Sequence, residues 1–299
     1  MTKDGRRSSP TPETGSEMLP GARGARFLLP IDYPPSTIAE PRWGYTRPEH
    51  AGLQALFARF ESDYVEILSR LREVAPQLGT LQQLQRPEEF SPEVIWNDGE
   101  MNGLDLALLY LLLRDYRPAR YVEIGSGNST LLALKAIADF GLETELIAID
   151  PAPRRPLGGL PIKTIHQPLE ALESLALFQD LRPGDIVFFD GTHRAFMSSD
   201  VTVFMLDVLP ILAPGVLIHF HDVALPYDYD RYFKLRYWNE QYMLATYLLA
   251  APEKIKVIFP TQYVCRHASM SKLLDPPLID GINPRYSRQG WSFWFTKLA

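Results

Sequence analysis

Short apolar segments alternate with helix-like segments from residue 121 to the C-terminus of this 299-residue sequence. Helical apolar spacing is found at 131–140, 169–177 and 200–212, and again in a segment that ends near 251. Alternation of this kind predicts an α/β fold with a mostly parallel sheet covered on both faces. Seven segments have the character of β-strands, at 121–124, 145–149, 162–165, 185–189, 216–220, 254–259 and 292–296.

The sequence predicts three parts along the chain. Residues 1–26 are rich in Ser, Thr, Pro, Gly and Arg and have no apolar segment, so we expect a disordered tail. Residues 27–100 form an N-terminal cap region, in which prolines indicate an extended lead-in and helical apolar spacing predicts an amphipathic helix at 49–74. The α/β domain occupies 101–299 and opens with a nearly all-apolar helix at 102–115.

Composition argues against several classes of partner and location. Thirty Lys and Arg against 36 Asp and Glu give a formal net charge of −6, so nucleic acid is a poor candidate partner. No apolar run approaches the ~20 residues of a membrane helix, and the N-terminus lacks the apolar segment of a secretory signal. Cys265 is the single cysteine, which fits a reducing compartment. We therefore expect a cytoplasmic protein without membrane contact.

Gly125 and Gly127 lie in a short turn between the first predicted strand and the helix that follows it. Two glycines let the backbone approach a ligand, and a helix N-terminus favours negative charge, as in nucleotide-like cofactor sites. The dinucleotide fingerprint requires a third glycine where this sequence has Thr130, which weakens an NAD-binding interpretation. The alternative without a ligand is an ordinary strand-to-helix turn.

Two acidic residues accompany the glycine turn. Glu123 lies inside the end of the strand, where a buried carboxylate needs hydrogen bonds or a charge partner, such as a cationic ligand. Asp150 ends the next strand, where an acid can accept hydrogen bonds from the ribose hydroxyls of an adenosine. The alternative for Asp150 is a turn residue before Pro151.

The segment Glu123-Ile124-Gly125-Ser126-Gly127, together with Asp150, resembles the cofactor motifs of class I S-adenosylmethionine (SAM)-dependent methyltransferases. The resemblance covers 121–299 and implies a Rossmann-like, doubly wound sheet of seven strands with an antiparallel C-terminal strand. It also implies that Gly125 to Asn128 pass beneath the methionine part of SAM and that Asp150 holds the ribose, while Glu123 helps to orient the site. The expected cofactor-binding residues are Glu123, Gly125, Ser126, Gly127, Asn128, Ser129, Asp150 and Asp190.

Acidic and histidine residues follow two further strands, as Asp190-Gly191-Thr192-His193 and His219-Phe220-His221-Asp222. Ligand sites of α/β sheets form outside the carboxyl ends of strands, so both clusters should face the pocket of the glycine turn. Asp190, His221 and Asp222 are candidate ligands of a divalent cation that would hold substrate hydroxyls. Strand alternation places His221 and Asp222 on opposite sides unless the strand has ended, and His219 is interpreted as a core residue.

His193 is the candidate general base, with Asp190 as the second catalytic residue. A neutral imidazole can take the proton of a hydroxyl whose oxygen attacks the methyl group of SAM. The alternative is that His193 caps the following helix or binds backbone.

The DGxH and HD pattern is similar to that of magnesium-dependent sugar O-methyltransferases of antibiotic biosynthesis. In that subgroup, acids supply the metal ligands after both strands. This sequence has His221 where an acid is expected, and imidazole suits manganese, iron or zinc better than magnesium.

Residues 227–242 combine seven aromatic side chains with charged ones, a composition typical of a lid or a small-molecule pocket. Packing against the sheet and a dimer contact are the alternatives. We therefore predict a SAM-dependent methyltransferase that acts on a small molecule at a hydroxyl oxygen, with a divalent cation as a second candidate cofactor. An NAD-dependent oxidoreductase and a non-catalytic cofactor-binding scaffold are the alternative functions, and a homo-oligomer is left open.

Overall fold

The computed structural model of the protein describes residues 40–78, 101, 103–275 and 288–299. Residues Ile38–Ala299 form one compact unit. The predicted tail at 1–26 and the part of the predicted lead-in before residue 40 lie outside the described residues. None of the described helices is both long enough and apolar enough to cross a membrane.

Seven strands form one sheet: β1 (Arg120–Ile124), β2 (Glu145–Ile149), β3 (Lys163–Ile165), β4 (Ile186–Phe189), β5 (Leu217–Phe220), β6 (Ile255–Pro260) and β7 (Phe293–Lys297). Their order across the sheet is β3-β2-β1-β4-β5-β7-β6. The pairs from β3 to β5 are parallel, whereas β7 is antiparallel to both of its neighbours. This confirms the predicted α/β fold, which is Rossmann-like and mostly parallel with an antiparallel C-terminal strand.

The described α-helices are α1 (Ala51–Ala58), α2 (Glu61–Leu78), α3 (Gly103–Tyr116), α4 (Asn128–Asp139), α5 (Ala176–Gln179), α6 (Asp200–Val203), α7 (Leu209–Ile211), α8 (Arg231–Leu235), α9 (Glu240–Ala250) and α10 (Thr261–Arg266). A π-helical stretch, Phe204–Val208, joins α6 to α7, so the helix predicted at 200–212 is continuous. Shorter 3-10 turns occur at Leu169–Ala171, Pro252–Lys254 and Met270–Leu274.

The central strands are mostly apolar because both faces of the sheet are covered. All residues of β4 and β5 are buried. Helix α3 is buried from Gly103 to Leu113 and packs against both α2 and α4, which explains why its sequence is apolar nearly all round. The core thereby fixes the carboxyl ends of β1, β4 and β5 along one edge of the sheet.

The prediction of a single amphipathic helix at 49–74 is wrong in its extent. The structure has two helices, which are separated at Arg59 and Phe60. Both helices share the core of the sheet. Phe57 of α1 packs on Phe293 of β7, and Tyr64 of α2 packs edge-on against Phe259 of β6. The apolar face of this segment is therefore buried against the antiparallel end of the sheet.

The helix predicted at 169–177 is also wrong in its extent. A 3-10 turn at Leu169–Ala171 ends where the backbone of Leu172 becomes extended, and α5 begins only at Ala176. In the aromatic segment, α8 and α9 are separate helices, since Tyr237 between them has a left-handed backbone (φ 55°). The spacing of apolar residues continues through such local changes of backbone direction and therefore does not predict them.

Candidate active site

The turn after β1 is pressed against the loop after β4. Gly125 has a left-handed backbone (φ 79°), and a Cβ atom on it would lie 2.0 Å from the carbonyl oxygen of Asp190. Only glycine fits such a position without moving the neighbouring backbone. Gly127 is extended, and a Cβ atom there would meet nothing within 4 Å. The first glycine of the turn is therefore required because the two loops are in contact.

Glu123 lies fully buried beneath this turn, and among the described residues it is not one that lines the adjoining cavity. Its carboxylate accepts hydrogen bonds from the hydroxyls of Ser129 and Thr130 in the first turn of α4. Thr130 in turn accepts a hydrogen bond from the amide of Gly127 (3.0 Å). Burial raises the pKa of Glu123 to about 8, although the two hydroxyl donors oppose the rise. Thr130, which replaces the third glycine of the dinucleotide fingerprint, thus ties the turn to the strand.

Asp150 stands just after β2 and is held by the same turn. One carboxylate oxygen accepts hydrogen bonds from the amide and the hydroxyl of Ser126 (2.7 and 2.8 Å). The other oxygen, Oδ1, accepts a hydrogen bond from the amide of Ala152 (2.7 Å) and has a second lone pair for another donor. Asp150 is therefore fixed in position and still able to accept a hydrogen bond from a ligand.

A cavity of about 300 Å³ opens along the glycine turn. Apolar side chains of Met101, Ile149 and Leu169 form part of its wall. Seven of the eight predicted cofactor-binding residues line it: Gly125, Ser126, Gly127, Asn128, Ser129, Asp150 and Asp190. The carboxyl ends of β1, β2 and β4 bring these residues together.

The loop after β4 carries Asp190 and His193, and its shape is set by a buried acid. Asp200 at the start of α6 accepts hydrogen bonds from the amide and the hydroxyl of Thr192 (both 2.6 Å). A Cβ atom on Gly191 would lie 2.2 Å from the carboxylate of Asp200. His193 itself has a left-handed backbone (φ 63°), a conformation that needs support from its surroundings.

His193 is the centre of a cluster of charged groups. Its Nδ1 lies 2.5 Å from Oε1 of Glu240, a fully buried residue at the start of α9. Its Nε2 lies 3.5 Å from Asp190 Oδ1 and 3.6 Å from Asp222 Oδ2. The following helix is capped by Ser199, so the helix-capping alternative for His193 is not what the structure shows. Glu240 orients the ring so that Nε2 faces the two aspartates.

Strand β5 ends at Phe220, which allows His221 and Asp222 to face the same cluster. Asp222 has a left-handed backbone (φ 55°), so the strand alternation does not extend to it. Nδ1 of His221 lies 3.7 Å from Asp190 Oδ1 and 3.6 Å from Asp222 Oδ1. His219 lies in the core, where it stacks on Phe188 with ring centroids 3.7 Å apart.

One ligand atom each from Asp190, His193 and Asp222 lie within 4.8 Å of one another. Two of these residues, Asp190 and Asp222, are predicted metal ligands. The third predicted ligand, His221, contacts the same two aspartates. The cluster thus assembles two carboxylates and two imidazoles, a donor set able to hold a divalent cation.

Carboxylates raise the proton affinity of both histidines in the cluster. Burial lowers the pKa of His193, but Glu240, Asp190 and Asp222 outweigh burial and raise the pKa to about 9. Burial likewise lowers the pKa of His221, and the surrounding aspartates, Asp222 first, raise it to about 10. Burial raises the pKa of Asp222 and of Glu240, and the histidines oppose that rise. The excess of carboxylates makes the cluster attractive to protons and to other cations.

A second cavity, of about 790 Å³, adjoins the first. Both cavities are lined by Arg154, Asp190, Gly191 and Thr192. The described wall of the second cavity continues with His193, His221 and Asp222 and with aromatic side chains, Tyr232, Phe233, Trp238 and Trp291. The aromatic segment singled out in the sequence therefore faces the acid and histidine cluster.

Three residues of the site were not predicted from the sequence. Glu240 lies on α9, 47 positions after its partner His193. Asp105 lies on the buried helix α3, accepts hydrogen bonds from the amides of Trp291 and Ser292 (2.7 and 2.9 Å) and has Oδ2 3.7 Å from Nε2 of His221. In the sequence, Asp200 is typical of the first residue of a helix. Only Asp105 could have been predicted, because it lies inside an apolar helix and a buried carboxylate requires partners.

Comparison with known proteins supports a methyltransferase. Residues 122–223, from β1 to just beyond β5, match the family model of a methyltransferase domain. This segment contains the glycine turn, Asp150, the loop from Asp190 to His193, and the pair His221 and Asp222. No curated protein matches the sequence.

Several solved structures are similar to the chain. The SAH-bound methyltransferase PaMTH1 of Podospora anserina is 18% identical, over 67% of this chain and 89% of that chain, with a TM-score of 0.38. The structure described as cmcI-D160 with Mg and SAM is 15% identical, over 73% and 89% of the two chains, with a TM-score of 0.40. MycE of the mycinamycin biosynthetic pathway, in complex with Mg, SAH and mycinamycin VI, is 26% identical over 38% of this chain and 30% of that chain, with a TM-score of 0.30.

The strand order, the glycine turn with an acid after the next strand, and the family match over residues 122–223 together support a class I SAM-dependent methyltransferase. The NAD-dependent alternative loses its support, since the position of the third glycine is occupied by a threonine that closes the turn.

Gly125→Ala should lower the free energy of unfolding by at least about 2 kcal/mol, because the new methyl group would be strained at positive φ and would collide with the backbone of Asp190. Gly127→Ala is the matched control, with an expected loss of about 1 kcal/mol or less, since its Cβ has open space. Urea unfolding measures both. Equal losses of unfolding free energy in the two variants would contradict the contact between the two loops.

Burial of Glu123 should make the stability of the protein depend on pH. Its pKa is about 8 in the folded state against an ordinary value of 4.5, so the folded protein binds more protons between these values. The stability from this group is fully present below about pH 4.5 and is lost as pH rises through about 8.

The Glu123→Gln variant should lack this dependence and gain stability relative to the parent between pH 5 and pH 8. Urea unfolding across that range, with the exposed Glu173→Gln as control, measures the difference. If the difference in free energy of unfolding between the parent protein and Glu123→Gln stays constant with pH, Glu123 is ionised in the folded state.

Proposed function

We propose that the protein transfers the methyl group of SAM to a hydroxyl oxygen of a small molecule. The observation that carries the proposal is the shared wall of the two cavities, which both include Asp190, Gly191 and Thr192. A donor in the cavity of the glycine turn and an acceptor in the second cavity would meet at the acid and histidine cluster. Holding two reactants together supplies a large part of the rate of such a displacement.

The first cavity would hold SAM, with Gly125 to Asn128 beneath its methionine part and Asp150 at the ribose. Support for Asp150 comes from its position on the cavity wall and from the remaining acceptor capacity of Oδ1. Glu123 would act indirectly, because it holds the first turn of α4 through two hydroxyls.

The acceptor is a small molecule rather than nucleic acid in this proposal. A net charge of −6 and a cavity of about 790 Å³ with an acidic end favour a compact ligand.

In the proposed reaction, the acceptor oxygen forms a bond to the methyl carbon while the bond from that carbon to the sulfonium sulfur breaks. SAH leaves as a neutral thioether, and the hydroxyl proton moves to Nε2 of His193. Glu240 accepts a hydrogen bond from Nδ1–H and so leaves the lone pair on Nε2. The carboxylates around His193 raise its proton affinity, and the positive charge of the bound sulfonium favours the neutral ring before transfer.

The cluster also fits a divalent cation, with Asp190, Asp222 and His221 as the ligands. His221 Nδ1 lies within 3.7 Å of both carboxylates, and this choice leaves Nε2 of His193 for the proton. A bound ion of this kind would hold the acceptor hydroxyl and lower its pKa. A mixed set of carboxylate and imidazole ligands favours manganese, iron or zinc over magnesium.

Calorimetric titration with SAM, with NAD as the control ligand, tests the proposed function directly. Saturable binding of SAM and no binding of NAD is the expected result. Absence of SAM binding, or binding of NAD in its place, would overturn the proposal.

Substitutions should separate cofactor binding from chemistry. Asp150→Ala should weaken SAM binding at least tenfold, about 1.4 kcal/mol, whereas the exposed Asp180→Ala should leave it unchanged. Equal SAM affinities of Asp150→Ala and the parent protein would contradict the assignment of Asp150 to the ribose of SAM.

His193→Gln should bind SAM normally and lose about 10²- to 10⁴-fold in turnover, because an amide can donate to Glu240 but cannot take the proton. Transfer of labelled methyl from SAM to an acceptor found among hydroxylated small molecules measures turnover. Full activity of His193→Gln would contradict the role of general base.

Added Mn²⁺ should raise the melting temperature of the protein by mass action, and Mg²⁺ should do so less at the same concentration. Asp222→Asn should abolish the effect, with the exposed Asp180→Asn as its control. Identical melting temperatures of the parent protein with Mn²⁺ and with a chelator would exclude the cation site.

A further inference from the structure

Two arginines lie side by side on the wall of the second cavity and are held there before any ligand binds. Nε of Arg194 donates to the carbonyl of Arg236 (3.0 Å), and Nη1 of Arg194 donates to the carbonyl of Thr192 (3.2 Å). The guanidinium of Arg236 lies over the ring of Tyr232, 4.3 Å from its centroid. Both cations are therefore positioned by contacts that leave donors of each guanidinium unused.

Among the described residues, no carboxylate forms a salt bridge with Arg194 or Arg236, although Asp230 lines the same cavity. Burial lowers the pKa of Arg194, and the charge of Arg236 lowers it further. The nearby acids of the same segment have other partners. Asp228 pairs with Lys234 (3.0 Å), and Asp230 caps α8 by accepting from the amides of Tyr232 and Phe233 (2.8 and 3.2 Å). Two fixed like charges without a counter-ion are typical of an anion-binding site.

An aromatic wall connects the arginine pair to the acid and histidine cluster. The ring of Trp238 lies 4.0 Å from that of His193 and 5.0 Å from that of Phe233, which in turn packs edge-on against Trp291. The guanidinium of Arg236 lies 5.6 Å from the centroid of Trp238. Trp238 therefore contacts both the ring of the base and one arginine of the pair.

We propose that the acceptor is a hydroxylated ring compound that also carries an anionic group, which Arg194 and Arg236 bind while the hydroxyl faces His193. This inference rests on the proposed methyl transfer and adds the chemical class of its acceptor. The cavity wall carries charges of both signs, with Asp190 and Asp222 beside His193 and the two arginines on the same wall. An anionic group is repelled by the carboxylates and attracted by the guanidinium groups, so such an acceptor binds in one orientation. The carboxylate of SAM is a less suitable partner for the pair, because neither arginine is among the residues that line the first cavity in the described structure.

A matched pair of ring compounds tests the inference, since 3,4-dihydroxybenzoate and 3,4-dihydroxybenzamide have nearly the same shape and differ in charge. Each is titrated into the protein in the presence of SAH, with tryptophan fluorescence or calorimetry as the readout. We expect the carboxylate to bind at least tenfold more tightly than the amide. The double variant R194Q/R236Q should lose this preference while its affinity for the amide changes less than twofold.

Two further variants separate charge from packing. R194K/R236K keeps the positive charge and should retain part of the preference, and the exposed Arg182→Gln, at the opposite end of β4, should retain all of it. Equal or undetectable binding of the two probes to the parent protein, or an unchanged preference in R194Q/R236Q, would overturn the inference. SAM affinity, measured on the same samples, distinguishes this failure from failure of the proposed function: SAM binding without a preference for the anion refutes only the acceptor class.

Discussion

Hydrogen bonds between the ends of neighbouring parallel strands are the constraint on which the rest of this site depends. Each of three loops begins with an amide that bonds to the last carbonyl of an adjacent strand: Gly125 to Ile149, Asp190 to Ile124, and His221 to Phe189. The bonds are 2.9–3.0 Å long and continue the sheet one residue beyond each strand. The glycine turn, the loop of Asp190 and the pair His221 and Asp222 therefore leave the sheet in a set register, close enough for their side chains to touch.

That register concentrates carboxylates in a buried place, which is costly unless they are partnered. His193 and His221 lie between the acids, and Glu240 completes the set from a different helix. The backbone is left-handed at both His193 and Asp222, a conformation that costs stability and needs support from its surroundings. The cluster is thus assembled at the expense of stability, and the proton transfer and cation binding proposed for it would account for such an arrangement.

The aromatic segment gives the second cavity its shape and its polarity. The break between α8 and α9 places Trp238 against the ring of His193. Asn239 joins this break to the loop after β4, since its amide donates to the carbonyl of His193 (3.0 Å) and its side-chain oxygen accepts from the amide of Ala195 (2.6 Å). Glu240 follows directly as the first residue of α9. One short stretch of chain therefore places the wall of the cavity, the partner of His193 and one of the two arginines.

The sequence by itself determined the order of elements, the glycine turn after β1 and the acids after β2, β4 and β5, because strand alternation and turn chemistry are local properties. The same reasoning located the seven strands to within one residue at either end. It misjudged the helices at 49–74 and 169–177, where a local backbone change interrupts a continuous apolar pattern. Only the tertiary structure decided that Thr130 closes the turn on Glu123, that Glu240 orients His193, and that His221 and Asp222 face one cluster. These contacts join residues far apart in the chain or depend on a single left-handed residue, and neither a long-range contact nor one backbone angle leaves a periodic signal in sequence.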